Sequence, residues 1–83
     1  MKILYFAWLR EKIGTAEEDV SPPAGIATLG ELMGWLAQLS PRHAAAFAEA
    51  RGIRGAIDQE FAGLDSPLGN AAEIAFFPPF TGG

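Results

Sequence analysis

The residues with the clearest chemical potential are the two glycines that end the chain, Gly82 and Gly83. Glycine has no Cβ, so such an ending fits a narrow channel and leaves the terminal carbonyl unhindered. The group offered for chemistry is the Gly83 carboxylate, which becomes reactive once another enzyme activates it. Gly-Gly alone is weak evidence, because chain ends are often disordered and glycine is common there.

The residues just before the two glycines strengthen that interpretation. Residues 76–83 have the sequence FFPPFTGG. Pro78 and Pro79 cannot donate to a sheet ladder and hold φ near −65°, so they end a strand and direct the chain outward. The six residues 78–83 could reach roughly 20 Å. Phenylalanines beside the prolines are typical of a surface that meets a partner.

We therefore predict a folded domain over residues 1–77 and an extended C-terminal tail over residues 78–83. The tail is expected to enter the buried active site of a partner protein and to carry Gly83 there. The residues expected to insert with it are Pro78, Pro79, Phe80, Thr81 and Gly82.

Composition limits the other functions. A chain of 83 residues forms one small domain, and 49% hydrophobic residues argue against disorder. Without cysteine there is no disulfide, thiolate nucleophile or zinc-thiolate site. A net charge of −4 argues against nucleic acid and suits a partner with basic residues around its docking site. No apolar run is long enough to span a membrane and no signal peptide is evident, so we expect a soluble, cytoplasmic protein with no membrane partner.

The first strand is the most apolar segment. Residues 2–8 are free of breakers and aromatic, which is typical of a central strand. Alternation places Ile3 and Tyr5 on one face and Leu4 and Phe6 on the other. Both faces therefore carry bulky apolar groups.

Two short elements follow the first strand. Residues 9–14 predict a short turn of helix or a loop closed by Gly14. Residues 17–20 are polar and predict an edge strand, which the proline pair at 22–23 ends.

The clearest helix start is at Thr28. Thr28 and Glu31 have the spacing of a capping box, and leucines then recur at helical spacing. We predict a helix from residue 29 through 40, with Pro41 as the stop. Residues 42–50 are rich in alanine and predict a second short helix.

The second half of the chain predicts three strands. The first covers residues 53–58, the second is a short return strand over residues 59–61, and the third covers residues 73–77. Residues 63–68 predict a turn whose leucines close the end of the core.

With the first and last strands parallel at the centre, this order gives a mixed sheet of about five strands with one main helix across one face. Such an α+β arrangement resembles the ubiquitin-like β-grasp fold, in which the other sheet face stays partly open. Phe6, Phe61 and Phe77 could then form an aromatic patch near the start of the tail. We expect His43, the only histidine, to be solvent exposed, and Asp58 and Glu60 to lie on a solvated face. No metal site is expected.

Four segments together resemble the small subunit of molybdopterin synthase, the sulfur carrier subunit. They are residues 2–14, 56–59 (AIDQ), 65–68 (DSPL) and 76–83. The resemblance runs nearly end to end and is strongest at the two termini. The ending Phe-Pro-Pro-x-x-Gly-Gly is specific, whereas Phe80 is bulkier than the aliphatic residue expected there, and Asp58 stands where Asn is commoner.

The resemblance implies a function. An E1-like adenylyltransferase would use ATP to adenylate Gly83, and sulfur transfer would convert it to a thiocarboxylate. The large subunit would take in the tail, and sulfur would pass to cyclic pyranopterin monophosphate in molybdenum cofactor biosynthesis. The family assembly is a heterotetramer. The chain would bind no cofactor, would not be catalytic alone, and would meet its partner through Phe6, Arg10, Phe61 and Phe77.

Two other classes of function stay open on the sequence. One is a sulfur carrier for another pathway, such as thiamine or cysteine synthesis, with the same tail chemistry. The other is a ubiquitin-like modifier or interaction module, in which Gly83 forms an isopeptide bond or does nothing.

Overall fold

The computed structural model describes residues 1–48 and 52–78. Within them, eight elements follow one another along the chain. They are β1 (Lys2–Tyr5), α1 (Trp8–Ile13), β2 (Glu17–Asp19), α2 (Leu29–Leu36), α3 (Pro41–Ala48), β3 (Arg54–Ile57), β4 (Glu60–Ala62) and β5 (Glu73–Phe77).

The five strands form one mixed sheet in the order β2-β1-β5-β3-β4. The central strands β1 and β5 are parallel, and the other neighbouring strands are antiparallel. The predicted α+β, β-grasp arrangement is confirmed. Because β1 and β5 are parallel, the end of β5 lies beside the point where β1 passes into α1.

The core lies between the sheet and the helices. Ile3 and Tyr5 of β1 pair with Ile74 and Phe76 of β5, and all four side chains are at most 1% exposed. The leucines of α2 cover them, as the helical spacing predicts. Those leucines are Leu29, Leu32 and Leu36, each fully buried.

The capping box of α2 forms as predicted. The Thr28 hydroxyl accepts from the Glu31 amide, and the Glu31 carboxylate accepts from the Thr28 amide. The helix ends earlier than predicted, at Leu36. The two hydrogen bonds that follow are of the shorter i→i−3 kind, from the Gln38 amide to the Trp35 carbonyl and from the Leu39 amide to the Leu36 carbonyl.

Pro41 does not separate the two helices in the way expected. It is the first residue of α3, where a proline loses no hydrogen bond and its fixed φ suits the helix. The Ser40 hydroxyl accepts from the His43 amide, as at a capped helix start. The predicted second helix is thus present from Pro41 to Ala48, and its last predicted residues, 49–50, lie outside the described part.

The hairpin between β3 and β4 is tight. Asp58 and Gln59 both have positive φ, 47° and 72°, as a two-residue type I′ turn requires. Gln59 is therefore a turn residue and not the start of the return strand. The Asp58 carboxylate is exposed as expected, yet it also accepts hydrogen bonds from the amides of Ala72 and Glu73 and fixes the chain before β5.

The loop before β5 closes the core with one leucine and not two. Leu68 is 5% exposed, whereas Leu64 is 56% exposed. Leu64 contributes through its backbone, since its carbonyl accepts from the Gly30 amide at the start of α2.

Candidate functional site

The sheet face opposite the helices is defined by the residues of β3. A Cβ placed on Gly55 would lie 2.5 Å from Cδ2 of Leu29 in α2, so Gly55 points towards the helices. Its neighbours Arg54 and Ala56 therefore point to the other side. We call that side the open face.

Three phenylalanines come together on the open face at the end of β5. Phe77 lies between Phe6 and Phe61, with ring centroids 6.4 Å and 5.5 Å away and near-perpendicular ring planes. Such edge-to-face pairs are a favoured aromatic geometry. Phe6 is 46% and Phe61 78% exposed, and Phe77 is half-buried. We call these three residues the aromatic patch.

Two alanines lie on the open face next to the aromatic patch. Ala56 pairs with Ala75 in one direction and with Phe61 in the other, and Leu4 pairs with Ala75. Both alanines are buried, at 8% and 9% exposed, so they add little accessible apolar surface of their own.

Pro78 follows Phe77 directly and is half-buried at the end of β5. The structure therefore ends β5 where the proline pair predicts. Pro79, Phe80, Thr81, Gly82 and Gly83 lie outside the described residues, so their insertion into a partner and the chemistry of Gly83 stay predictions.

Arg10, the fourth predicted interface residue, lies on α1 and is exposed. Arg10 is four residues after Phe6 in the sequence. Within the described part of the chain, no hydrogen bond or ion pair joins Arg10 to the aromatic patch. A role for Arg10 at an interface stays a prediction.

The turn that follows Phe6 has an unusual backbone. Ala7 precedes α1 with φ 55° and ψ −134°, a region that favours glycine. Its carbonyl accepts from the amides of Arg10 and Glu11. The turn thus changes the chain direction abruptly, so that Phe6 stays on the open face while α1 crosses to the core.

A second group of polar side chains lies on the helix side of the sheet. One oxygen of Glu18 accepts from the Tyr5 hydroxyl and from His43 Nε2, both at 2.6 Å. The Ser40 hydroxyl lies 2.7 Å from His43 Nδ1. His43 is 8% exposed, so the expectation that it is solvent exposed was wrong. We call these four residues the polar cluster.

The polar cluster superficially resembles a serine–histidine–carboxylate triad, but its bonds serve the fold. The Ser40 oxygen already accepts from the His43 amide at the start of α3, and Glu18 is shared with the buried Tyr5. An ionised carboxylate only accepts, so His43 Nε2 carries the hydrogen between them. With every polar group satisfied, the cluster ties α3 to β1 and β2.

Electrostatics in the cluster follow from this geometry. Burial opposes ionisation of Glu18, but the hydrogen bonds from His43 and Tyr5 outweigh it, and the pKa of the Glu18 carboxyl falls below its usual value. Burial, and then the bond to Glu18, raises the pKa of the Tyr5 hydroxyl, which therefore stays protonated.

Among residues 1–48 and 52–78 there is no group of three or more His, Asp or Glu side chains placed to hold a metal ion. Within the same residues, no helix has the length and apolar character needed to cross a membrane.

The chain is similar to known proteins over almost its whole length. The model of the ThiS family matches residues 3–83. The chain belongs to the ThiS family. Among curated proteins, the molybdopterin synthase sulfur carrier subunit of Escherichia coli (strain K12) is 37% identical over 83 residues, which cover 100% of this chain and 99% of the relative. The subunit of the same name from Haemophilus influenzae is 36% identical with the same coverage. The resemblance to molybdopterin synthase small subunits is confirmed.

Solved structures agree on the fold. SAMP1 from Haloferax volcanii superposes with a TM-score of 0.73 at 29% identity, covering 100% of this chain and 98% of that chain. The proposed molybdopterin converting factor, subunit 1, from Pyrococcus furiosus gives 0.71 at 25% identity and 95% coverage of both chains.

Proposed function

We propose that this ThiS-family chain is the sulfur carrier subunit of a molybdopterin synthase. The observation that carries the proposal is the aromatic patch, which lies at the end of β5, directly before the C-terminal segment that carries Gly-Gly in the sequence. An exposed apolar surface at that position allows the body to dock while the following residues enter a partner. The two full-length relatives named as sulfur carrier subunits support the same function.

The proposed chemistry takes place at Gly83. A carboxylate is a poor electrophile, so an E1-like adenylyltransferase first joins it to the α-phosphate of ATP and releases pyrophosphate. A sulfur donor then displaces AMP, which leaves a thiocarboxylate. The nucleophilic sulfur attacks cyclic pyranopterin monophosphate and forms a thioester that joins the precursor to Gly83. Water then cleaves the acyl–sulfur bond, which leaves the sulfur on the precursor and returns the Gly83 carboxylate. Two rounds would supply the two sulfurs of the dithiolene.

The folded domain contributes position and not catalysis in this scheme. Docking through Phe6, Phe61 and Phe77 would hold the tail at a high effective concentration in the large subunit. Enclosing the sulfur there would limit its hydrolysis. We propose a heterotetramer in which two small subunits dock on a dimer of large subunits.

A second function is favoured by a specific observation. A solved structure of small archaeal modifier protein 1 from H. volcanii superposes on this chain with a TM-score of 0.68 at 29% identity. A modifier would use the same activated Gly83 to acylate an amine and would leave an isopeptide bond.

Mass spectrometry of the terminal peptide tests the proposal. The chain is incubated with its activating enzyme, ATP and a sulfur source, and we expect an oxygen-to-sulfur mass change confined to that peptide. The thiocarboxylated chain is then added to a molybdopterin synthase large subunit and the pyranopterin precursor. Conversion supports the molybdopterin pathway, and a chain lacking Gly83 is the control that should dock without transferring sulfur. An unchanged terminal mass would exclude both sulfur carrier functions, and isopeptide adducts without conversion would favour the modifier.

A further inference from the structure

Charged side chains divide the open face into two unlike ends. At the end away from the tail, the register of the outward residues places Asp19 beside Lys2 and Lys2 beside Glu73. Asp58 comes next, since its amide donates to the Glu73 carbonyl. This row of the sheet therefore carries three carboxylates and two amines, because the N-terminal ammonium of Met1 lies 3.5 Å from an Asp19 carboxylate oxygen.

At the tail end the register places Arg54 beside Phe77. Arg54 is exposed, and within the described ranges its side chain forms no hydrogen bond or ion pair. Its guanidinium is therefore available next to the aromatic patch, one position from Pro78. Although the chain has a net charge of −4, the part of the open face from which the tail leaves is marked by a cation.

We propose that Arg54 selects the partner and orients the domain, by pairing with a carboxylate at the rim of the partner channel that receives the tail. The proposal rests on the proposed function and names one chemical feature of the surface that meets the patch. A guanidinium presents a planar fork of donors that matches a carboxylate in two parallel hydrogen bonds.

The unequal ends of the face make this pairing selective. A partner with a uniformly basic docking surface would attract the row of Asp19, Glu73 and Asp58 and repel Arg54. A carboxylate opposite Arg54 favours the one orientation in which the tail faces the channel. Complementary charges of this kind contribute more to orientation and association rate than to total affinity.

The test compares two charge reversals on the same face. Arg54→Glu and Lys2→Glu each make the net charge two units more negative than −4, but they act at opposite ends of the sheet. Lys2 has only an exposed pair with Glu17 to lose, at 3.6 Å. Association and dissociation rates with a molybdopterin synthase large subunit are measured at about 0.05 M and 1 M salt, where screening lengths differ several-fold. Thermal unfolding verifies that each variant is folded.

We expect Arg54→Glu to weaken binding about tenfold at low salt and Arg54→Ala about two- to fivefold. Lys2→Glu should change binding less than about twofold, and the gap between the two reversals should shrink at 1 M salt. Equal effects of both reversals, or tighter binding by Arg54→Glu, would overturn the role of Arg54 while leaving sulfur transfer by the wild-type chain intact. A loss seen only as slower pyrophosphate release with the activating enzyme would also overturn it, because Arg54 would then act at the activating enzyme and not at the large subunit. Failure of the wild-type chain to dock would overturn the proposed function as well.

Discussion

Replacing Glu18 with alanine should destabilise this domain more than any other single change to an acidic side chain in the described sheet. The Glu18 carboxylate is the shared acceptor of two donors, the Tyr5 hydroxyl and His43 Nε2. Tyr5 is 1% exposed, so its hydroxyl has little access to water once Glu18 is gone. The substitution therefore leaves two donors without their acceptor.

The magnitude follows from these two bonds. A hydrogen bond to a charged group contributes about 1.5–3 kcal/mol. The side chain of Glu18 is 27% exposed, so water can partly replace it and each bond belongs at the lower end of that range. We expect a total loss of about 3 kcal/mol, out of roughly 4–12 kcal/mol for a domain of 83 residues. The thermal midpoint should fall by roughly 12–24 °C.

Urea and thermal unfolding followed by circular dichroism measure this loss. Glu17→Ala is the matched control, because Glu17 precedes Glu18 in β2 but is 59% exposed and pairs only with Lys2. It should cost less than about 1 kcal/mol. Equal losses for the two variants would refute the argument. A double-mutant cycle with Tyr5→Phe should show coupling, since the two changes remove the same bond.

The loss should also depend on pH. The pKa of Glu18 is lowered in the folded chain, so its contribution is fully present above the unfolded carboxyl pKa of about 4.3. The contribution disappears as the pH falls through the lower, folded pKa. The difference between wild type and Glu18→Ala should therefore narrow between about pH 5 and pH 3, and a constant difference would contradict the assigned ionisation.

Four further substitutions test the patch and the backbone around it. Phe61→Ala should weaken large-subunit docking about tenfold while moving the thermal midpoint by less than about 4 °C, because Phe61 is 78% exposed. Phe77 is half-buried, so Phe77→Ala should weaken docking and also lower the free energy of unfolding in urea by about 1–2 kcal/mol. Gly55→Ala should destabilise by about 1–3 kcal/mol, since its Cβ would lie 2.5 Å from a side-chain carbon of the fully buried Leu29, and an unchanged urea midpoint would show that Leu29 moves freely. Ala7→Gly should raise stability by about 0.5–1 kcal/mol by relieving the positive φ, and a loss would show that the turn is unstrained.

Local sequence patterns predicted the elements well where one short-range interaction decides them. The capping box at Thr28 starts α2, and Gly14 ends α1 with φ 96°. Alternation along β1 and β5 placed Phe6 and Phe77 on the face opposite the core. The order of strands then followed from the rule that a β-grasp sheet keeps its first and last strands at the centre.

The polar cluster was missed because it depends on a contact across 25 residues. The three residues of β2 are all acidic, and nothing in their sequence shows that Glu18 is the partner of His43 rather than one of its two neighbours. A partial signal was present at the other end. His43, Ala46 and Phe47 have the i, i+3, i+4 spacing of one helix face, and all three are buried. That spacing predicts burial of the histidine, although not what it binds.

In the proposed function, the two faces of β5 separate stability from docking. Phe76 is fully buried and packs edge-to-face on Phe47 in the core, whereas Phe77, one residue later, turns to the open face and contacts Phe61. Because neighbouring residues of a strand point to opposite faces, the docking surface can change while the core stays intact. Phe61 contributes little to the core because its side chain is largely in water, and we propose that it serves docking to a partner. The last described residues of β5 therefore join the two tasks of the chain, and the position of Phe77 beside Pro78 fixes where the tail would start relative to any docked protein.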